Sequence, residues 1–417
     1  MNILLINRSD LLGGAAIATT RLMDGLNAQG AQARMLVIDR RGEHQQVATV
    51  GSKVGNRYRF LVERLGIYLH NGMNRDTLFQ IDTATHGVNI IGHPWVNWAD
   101  VVVLGWVNQA MLSLDDVKRL TTLGKPVVWV MHDMWNCTGV CHHAAQCRAY
   151  EGTCHSCPLT GKQGEDLSSS TQRRKRMLYK DAHIHFVAVS HWLEQCCRRS
   201  SVMHDCDISV IANPFPTTSF SPVTSEPNVW NVESGRSVMV MGAARLDDPV
   251  KGLDTLIATT QHIATNRPEL ARRLHLVLYG GIRDASLLEQ LALPYTYLGY
   301  VHDLQNIYSH ARLVLSTSRY ESFGYTLVEG MACGCIPVTT GDGGQVDIVK
   351  HRHNGFVTGS HDPAHIAQGI EWALDAGITR QSQHQWVRDH FDASVIARQH
   401  LTLYQSLLND NNFKQSI

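Results

Sequence analysis

Short apolar runs rich in Val and Ile recur along the chain, separated by segments with helical periodicity. In the first half the runs are Asn2–Ile6, Arg34–Ile38, Asp100–Leu104, Pro126–Met131, His185–Val189 and Ile208–Ile211. In the second they are Ser237–Met241, His275–Tyr279, Tyr295–Leu298, Leu313–Ser316 and Ile336–Thr339. Unbroken apolar runs of this length suit strands of a parallel sheet covered on both faces. Their alternation with helices through both halves predicts two α/β layers. A length of 417 residues also exceeds what one hydrophobic core usually holds. Between the halves, Asn213–Ser234 carries Pro214, Pro216, Pro222 and Pro227 among Ser, Thr and Asn, which predicts an extended junction. From about Ala393 to Leu408 the pattern is that of an amphipathic helix. The expected organisation is an N-terminal domain over 1–215, a second domain over 216–392, and a closing helical segment over 393–417.

Charge narrows the partners. The 37 Lys and Arg residues balance the 37 Asp and Glu residues, which argues against nucleic acid. The opening Met-Asn-Ile-Leu-Leu-Ile-Asn has no basic region and too short an apolar run for a signal peptide, and no stretch approaches the ~20 apolar residues of a membrane span. A cytoplasmic chain is expected, with peripheral contact at the inner face of a membrane left open. The run Arg173-Arg174-Lys175-Arg176 within Ser168–Lys180 reads either as a solvated helix face or as a contact for anionic lipid or a phosphate-bearing acceptor.

Open parallel sheets bind ligands at the carboxyl ends of their strands. After Ser237–Met241 come Arg245 and Lys251 in one short loop. A planar guanidinium and a mobile ammonium suit a diphosphate, although either can be a plain surface cation. Gly280-Gly281 after the next strand is a turn, or a place where a nucleotide nears the backbone. After Leu313–Ser316 the chain runs from Ser318 through Glu321, Phe323, Gly324, Tyr325 and Glu329 to Gly334: polar loop, then helix. Phe323–Tyr325 falls at the predicted helix start, where free N–H groups and the positive dipole end hold anions.

Glu321 and Glu329, with Phe323-Gly324 between and Gly330-Met331-Ala332-Cys333-Gly334 after, resemble the E-x7-E signature of the retaining glycosyltransferase family 4. Arg245 and Lys251 match that family's R-x5-K pair. The resemblance implies a GT-B fold, with two Rossmann-like domains facing across a cleft and a final helix crossing back to the first. It implies a nucleotide-diphosphate sugar held mainly by the second domain. Arg245 and Lys251 would neutralise the diphosphate, which backbone groups at Phe323, Gly324 and Tyr325 would also touch. Glu329 would bind the ribose, Glu321 the transferred sugar, and the loop Gly299-Tyr300-Val301 the base.

In the first half, Gly13-Gly14 after the first strand forms a tight turn into a helix, without a full dinucleotide-binding fingerprint. The resemblance places it opposite the donor phosphate or the acceptor. His132, at a predicted strand end, is either a structural histidine or an imidazole for a sugar hydroxyl or proton. Of ten cysteines, five lie between Cys137 and Cys157. In a cytosolic chain this favours metal or packing over disulfides. The Cys154-x2-Cys157 pair with Cys141 and Cys147 can close a tetrahedral structural zinc site within an insertion over 137–158, with His142, His143 or His155 as substitutes. The run from His132-Asp133 through Cys141-His142 resembles a polysaccharide-assembly subgroup of the family, implying those four cysteines as ligands and a glycan or lipid-linked acceptor.

The expected reaction is retaining hexosyl transfer by same-face attack, with the departing phosphate accepting the proton. No catalytic metal is expected, because two cations take its place. Alternatives are an epimerase or phosphorylase on the same fold, and a non-catalytic zinc-containing nucleotide-sugar-binding protein.

Overall fold

The computed structural model describes residues 1–223, 230 and 232–410. Pro227 of the predicted junction and residues 411–417 of the closing segment lie outside the described residues. The chain divides into two compact units, Phe215–Asp392 and the remainder, which joins Met1–Pro214 to the chain from Ala393 onward.

Among the described residues, the first unit holds a seven-stranded parallel sheet. Its strands are β1 (Asn2–Ile6), β2 (Gln32–Val37), β3 (Val47–Thr49), β4 (Val101–Leu104), β5 (Val127–Met131), β6 (Ile184–Ala188) and β7 (Ile208–Val210). They lie in the order β3-β2-β1-β4-β5-β6-β7, with Ile3 opposite both Ala33 and Val101. Ile3–Ile6 and Val101–Leu104 are buried throughout, as strands covered on both faces must be. The second unit holds β8 (Ser237–Arg245), β9 (Leu274–Gly281), β10 (Tyr295–Tyr297), β11 (Leu313–Ser316), β12 (Ile336–Thr340) and β13 (Phe356–Thr358). Their order is β10-β9-β8-β11-β12-β13, again parallel. The strand order reverses at β1/β4 in one unit and at β8/β11 in the other. Those crevices are where a doubly wound sheet leaves room for ligand.

The helices that matter below are α1 (Gly14–Ala28), α2 (Lys53–His70), α3 (Leu167–Asp181), α4 (Leu253–Asn266), α5 (Tyr325–Ala332) and α6 (Ala393–Asn409). The closing helix α6 packs on α1, and Gly25 permits the approach. A Cβ there would stand 2.9 Å from the Ala393 carbonyl oxygen and 3.2 Å from the Ala397 Cβ. Leu253, Leu256 and Ile263 of α4 close over Leu276, Leu278 and Leu313 to form the core of the second unit.

The apolar runs locate eleven of these thirteen strands. The two they miss, β3 and β13, are three-residue strands at the ends of their sheets. β7 and β10, equally short and also at sheet ends, do fall within the apolar runs, so length alone does not account for the miss.

Candidate active site

In the second unit, the cation turn and the acidic loop meet at the β8/β11 crevice. Arg245 ends β8, and Lys251 ends the short 3-10 turn Pro249–Lys251 before α4. That turn is tied to the loop after β11: Arg319 N–H donates to the Val250 carbonyl at 2.8 Å and its Nε to the Pro249 carbonyl at 3.1 Å. Thr317 Oγ1 donates to the Gly252 carbonyl at 2.8 Å. Gly252 sits at φ +70°, where a Cβ would lie 2.1 Å from the Thr317 carbonyl oxygen. Only glycine fits both the left-handed conformation and the contact.

The tie brings Lys251 Nζ to 2.6 Å from Glu321 Oε1, which also accepts from Ser318 Oγ at 2.9 Å. Arg245 Nη2 stands 3.2 Å from Asp248 Oδ2. The Arg245 Nε is buried 3.5 Å from Asp247 Oδ1, an ion pair without a hydrogen bond. Both predicted cations are thus rooted beside carboxylates at one sheet edge, with side chains about one-third exposed (33% and 30%). Gly324, at φ +113°, caps α5, whose first turn has no side-chain cap. A helix start with no side-chain cap suits an anion. Phe323 is buried edge-on to Tyr325, with ring centroids 5.1 Å apart.

Glu329 is buried in α5 beside the hydrogen-bonded pair Tyr279 and Tyr308, whose hydroxyls are 2.6 Å apart. Burial and the Glu329 charge push both phenols well above their usual range. At the neighbouring strand ends, the Gly280 N–H donates to the Gly299 carbonyl at 2.6 Å, and the Tyr297 hydroxyl to the Gly280 carbonyl at 2.8 Å. A Cβ on Gly281 would stand 2.2 Å from the Tyr300 hydroxyl. Gly280 and Gly281 are the last residues of β9 and not a turn after it, and the loop preceding Val301 is fastened to them. Arg319, Thr317 and Asp248, which hold this arrangement, carry no motif by which sequence alone would find them.

In the first unit, Gly13 at φ +89° caps α1 without a side-chain bond, and neither Gly13 nor Gly14 has an atom within 4 Å of where a Cβ would stand. Asp10 steadies this loop by accepting from the Arg41 and Gly42 N–H groups, each at 2.8 Å. His132 follows β5, and both its ring nitrogens are buried without a hydrogen-bond partner. It lines a cavity of about 10 Å³ with Thr19, Asn213 and His400. That volume admits one water and no sugar. Burial holds His132 down at about 4 and His400 at about 3. The next residue, Asp133, accepts from Trp106 Nε1 at 2.9 Å and the Trp135 N–H at 2.8 Å, and stands 2.9 Å from His142 Nδ1. These partners pull its carboxyl well below the usual range against the opposing effect of burial.

Cys141, Cys147, Cys154 and Cys157 line one cavity of about 30 Å³, together with His155. His142, paired with Asp133, does not line it, nor does His143. As they stand, no three His, Cys, Asp or Glu side chains among the described residues form a group that could hold a metal ion. Burial pushes the Cys141 thiol up to about 12 and Cys154 to about 11.

The basic run on α3 is divided: Arg173 and Arg176 are exposed, as a solvated face requires, while Arg174 is half-buried and Lys175 turns inward. Lys175 is fully buried over the Trp135 ring at 3.5 Å and donates to the Trp135 and Thr138 carbonyls. Arg174 donates to the Thr83 and Ala84 carbonyls, Arg173 pairs with Glu165, and Arg176 meets Ser201. The carbonyl oxygens of the cysteine loop turn α3 inward where its composition alone reads as solvent-facing. The single Asp-x-Asp spacing, Asp205 to Asp207, is exposed at the amino end of β7, away from the ligand-binding strand ends.

Residues 230–389 match the family model described as glycosyl transferases group 1. Among curated relatives, the chain is 24% identical over 240 residues to the phosphatidylinositol N-acetylglucosaminyltransferase gpi3 subunit of Schizosaccharomyces pombe, covering 55% of this chain and 50% of that protein. It spans half or less of the length of the first such relatives it matches. In three dimensions it resembles sucrose-phosphate synthase of Thermosynechococcus elongatus, with a TM-score of 0.67, 18% identity and coverage of 98% of this chain and 99% of that one. It also resembles HepE of Anabaena in complex with UDP, with a TM-score of 0.61, 18% identity and coverage of 97% and 100%. The fold is GT-B, with two Rossmann-like parallel-sheet domains.

Proposed function

We propose, from the glycosyl transferase group 1 match over 230–389, that the chain is a retaining hexosyltransferase. It moves a sugar from a nucleotide-diphosphate donor to a glycan or lipid-linked acceptor in polysaccharide assembly. The observation that carries this reading is the convergence of Arg245, Lys251 and the uncapped start of α5 on the β8/β11 crevice. Bonds from Arg319 and Thr317 hold that geometry before any ligand arrives. Preorganised positive charge is worth most where negative charge develops, and here that is the leaving diphosphate. No catalytic metal enters this scheme. HepE, on the same fold, is seen with UDP, which makes a uridine diphosphate sugar the first donor to try.

In this reading the diphosphate displaces Glu321 from Lys251, freeing that carboxylate to hold the transferred sugar. Glu329 takes the ribose, and Val301 with its loop takes the base. The N-terminal domain binds the acceptor near Gly13 and Gly14. His132, held neutral by burial, reaches the acceptor hydroxyl through a water of the size its cavity admits. The departing phosphate accepts the acceptor proton on the face it leaves, so configuration is retained.

The Cys141, Cys147, Cys154 and Cys157 set is proposed to close on a structural zinc. Four thiols line one cavity, and burial keeps Cys141 and Cys154 protonated there, so the ion itself would have to offset the thiolate charge. A cytoplasmic site keeps those thiols reduced.

The test is the double variant Arg245→Ala with Lys251→Ala, assayed with UDP-glucose and other nucleotide sugars. Removing two charge-assisted contacts should lower kcat/KM by about a hundredfold or more. Transfer at near the wild-type rate would show that the clamp lies elsewhere.

A further inference from the structure

The largest exposed apolar feature lies outside the candidate site, on α2. Val54, Tyr58, Leu61, Leu65 and Leu69 are each more than half exposed. Their spacing puts all five within about 80° of the helix circumference, along about 23 Å of its length. Met73 and Phe79, beyond the helix end, are also more than half exposed. Among the described residues, these seven are over half of the thirteen exposed large apolar side chains. A stripe so continuous is not the scatter expected of an ordinary surface.

The polar residues beside the stripe have one sign. Lys53 and Arg57 are exposed on its flank, and Arg75 is exposed just past the helix. The single acid in α2, Glu63, is buried on the opposite side, with its Oε2 3.4 Å from Arg64 Nη2. Asp76 is the exposed acid nearest the helix end in sequence. No helix among the described residues is long and apolar enough to cross a membrane. An apolar face edged by cations is the pattern of a helix that lies in the plane of a bilayer surface.

We propose that α2 docks this protein on an anionic phospholipid bilayer. Val54, Tyr58, Leu61, Leu65 and Leu69 enter the headgroup–acyl boundary, while Lys53, Arg57 and Arg75 meet lipid phosphates. The charge complementarity selects anionic lipid over a second copy of this chain, which would bring a second set of cations against this one. Of the basic run on α3, Lys175 and Arg174 are engaged by backbone carbonyls and Arg173 is paired with Glu165.

The full chain is co-sedimented with vesicles of phosphatidylglycerol and phosphatidylcholine, and with phosphatidylcholine alone. Wild type should pellet with the anionic vesicles and release as salt rises. The double variant L61Q/L65Q should bind them about tenfold less tightly, since each leucine forfeits apolar burial. Circular dichroism checks that this variant keeps its fold. The variant R57E, at low salt, tests the charge independently and should also weaken binding. Failure of wild type to pellet, or equal pelleting of L61Q/L65Q or R57E, overturns the proposal. So does sedimentation velocity showing a wild-type dimer that L61Q/L65Q dissolves, because a second copy would then cover the stripe. Vesicle binding needs no turnover, so a wrong donor assignment leaves this result unaffected.

Discussion

Gly252 shows how much of the candidate site rests on one missing methyl group. Its positive φ turns the chain from Lys251 into α4, and the Thr317 carbonyl fills the space a Cβ would need. Gly252→Ala should lower stability by about 1–3 kcal/mol through backbone strain and the clash. It should weaken UDP-glucose binding further, because Lys251 moves with the turn. Urea unfolding and calorimetric titration of the same variant separate the two effects. Unchanged values in both would remove Gly252 from the explanation. The buried histidines give a second test at this scale. His132 and His400 line one cavity, and burial holds both far below the ordinary histidine value. The unfolded chain therefore takes up protons first as pH falls. Stability is complete above about pH 6.5 and declines toward pH 4, by about 3 kcal/mol from His132 alone. Thermal melts across that range should show the decline, and His400→Gln should flatten it. A melting temperature independent of pH from 7 to 4.5 would contradict the assignment.

Among the elements, strand ends were the most legible part of the chain. Arg245, Lys251, Glu321 and the Phe323–Tyr325 start of α5 stand next to apolar runs that sequence alone locates, and the sheet then brings them to one edge. Two of the four edge strands, β3 and β13, and side-chain direction were not legible. Three residues carry no period by themselves, and β7 and β10, of the same length, were reached only as parts of longer apolar runs; the basic run on α3 has a solvent-like composition. Only the tertiary position of the cysteine loop explains why Lys175 points into it. The same loop carries the metal prediction. It runs from Thr138 to Pro158 with one short 3-10 turn, Ala149–Glu151, to order it. Zinc ligation supplies of the order of 10–16 kcal/mol apparent to small sites. Purified protein should contain one zinc per chain by elemental analysis. The double variant Cys154→Ser with Cys157→Ser should lose it and melt lower, as should wild type treated with a chelator. Metal-free protein that melts at the same temperature would make these four cysteines packing residues.

At the scale of the whole molecule, two sheets close over two separate cores, and the chain passes between the units at Pro214–Phe215 and Asp392–Ala393. The candidate chemistry divides in the same way. The proposed diphosphate clamp lies wholly in Phe215–Asp392, while His132, Gly13-Gly14 and the cysteine loop lie in the other unit. A ligand stabilises the unit that binds it in proportion to the logarithm of its concentration over Kd. Scanning calorimetry should therefore resolve two transitions. UDP-glucose at about a hundred times its Kd adds roughly 2.7 kcal/mol to the unit it occupies, and so should raise one transition while leaving the other in place. Chelation should lower the transition that UDP-glucose does not move. Arg245→Ala with Lys251→Ala should abolish the nucleotide shift without touching the chelator effect, which ties each response to its own unit. A nucleotide shift that survives this variant, or one that moves the metal-sensitive transition instead, would place the donor site in the other half of the chain.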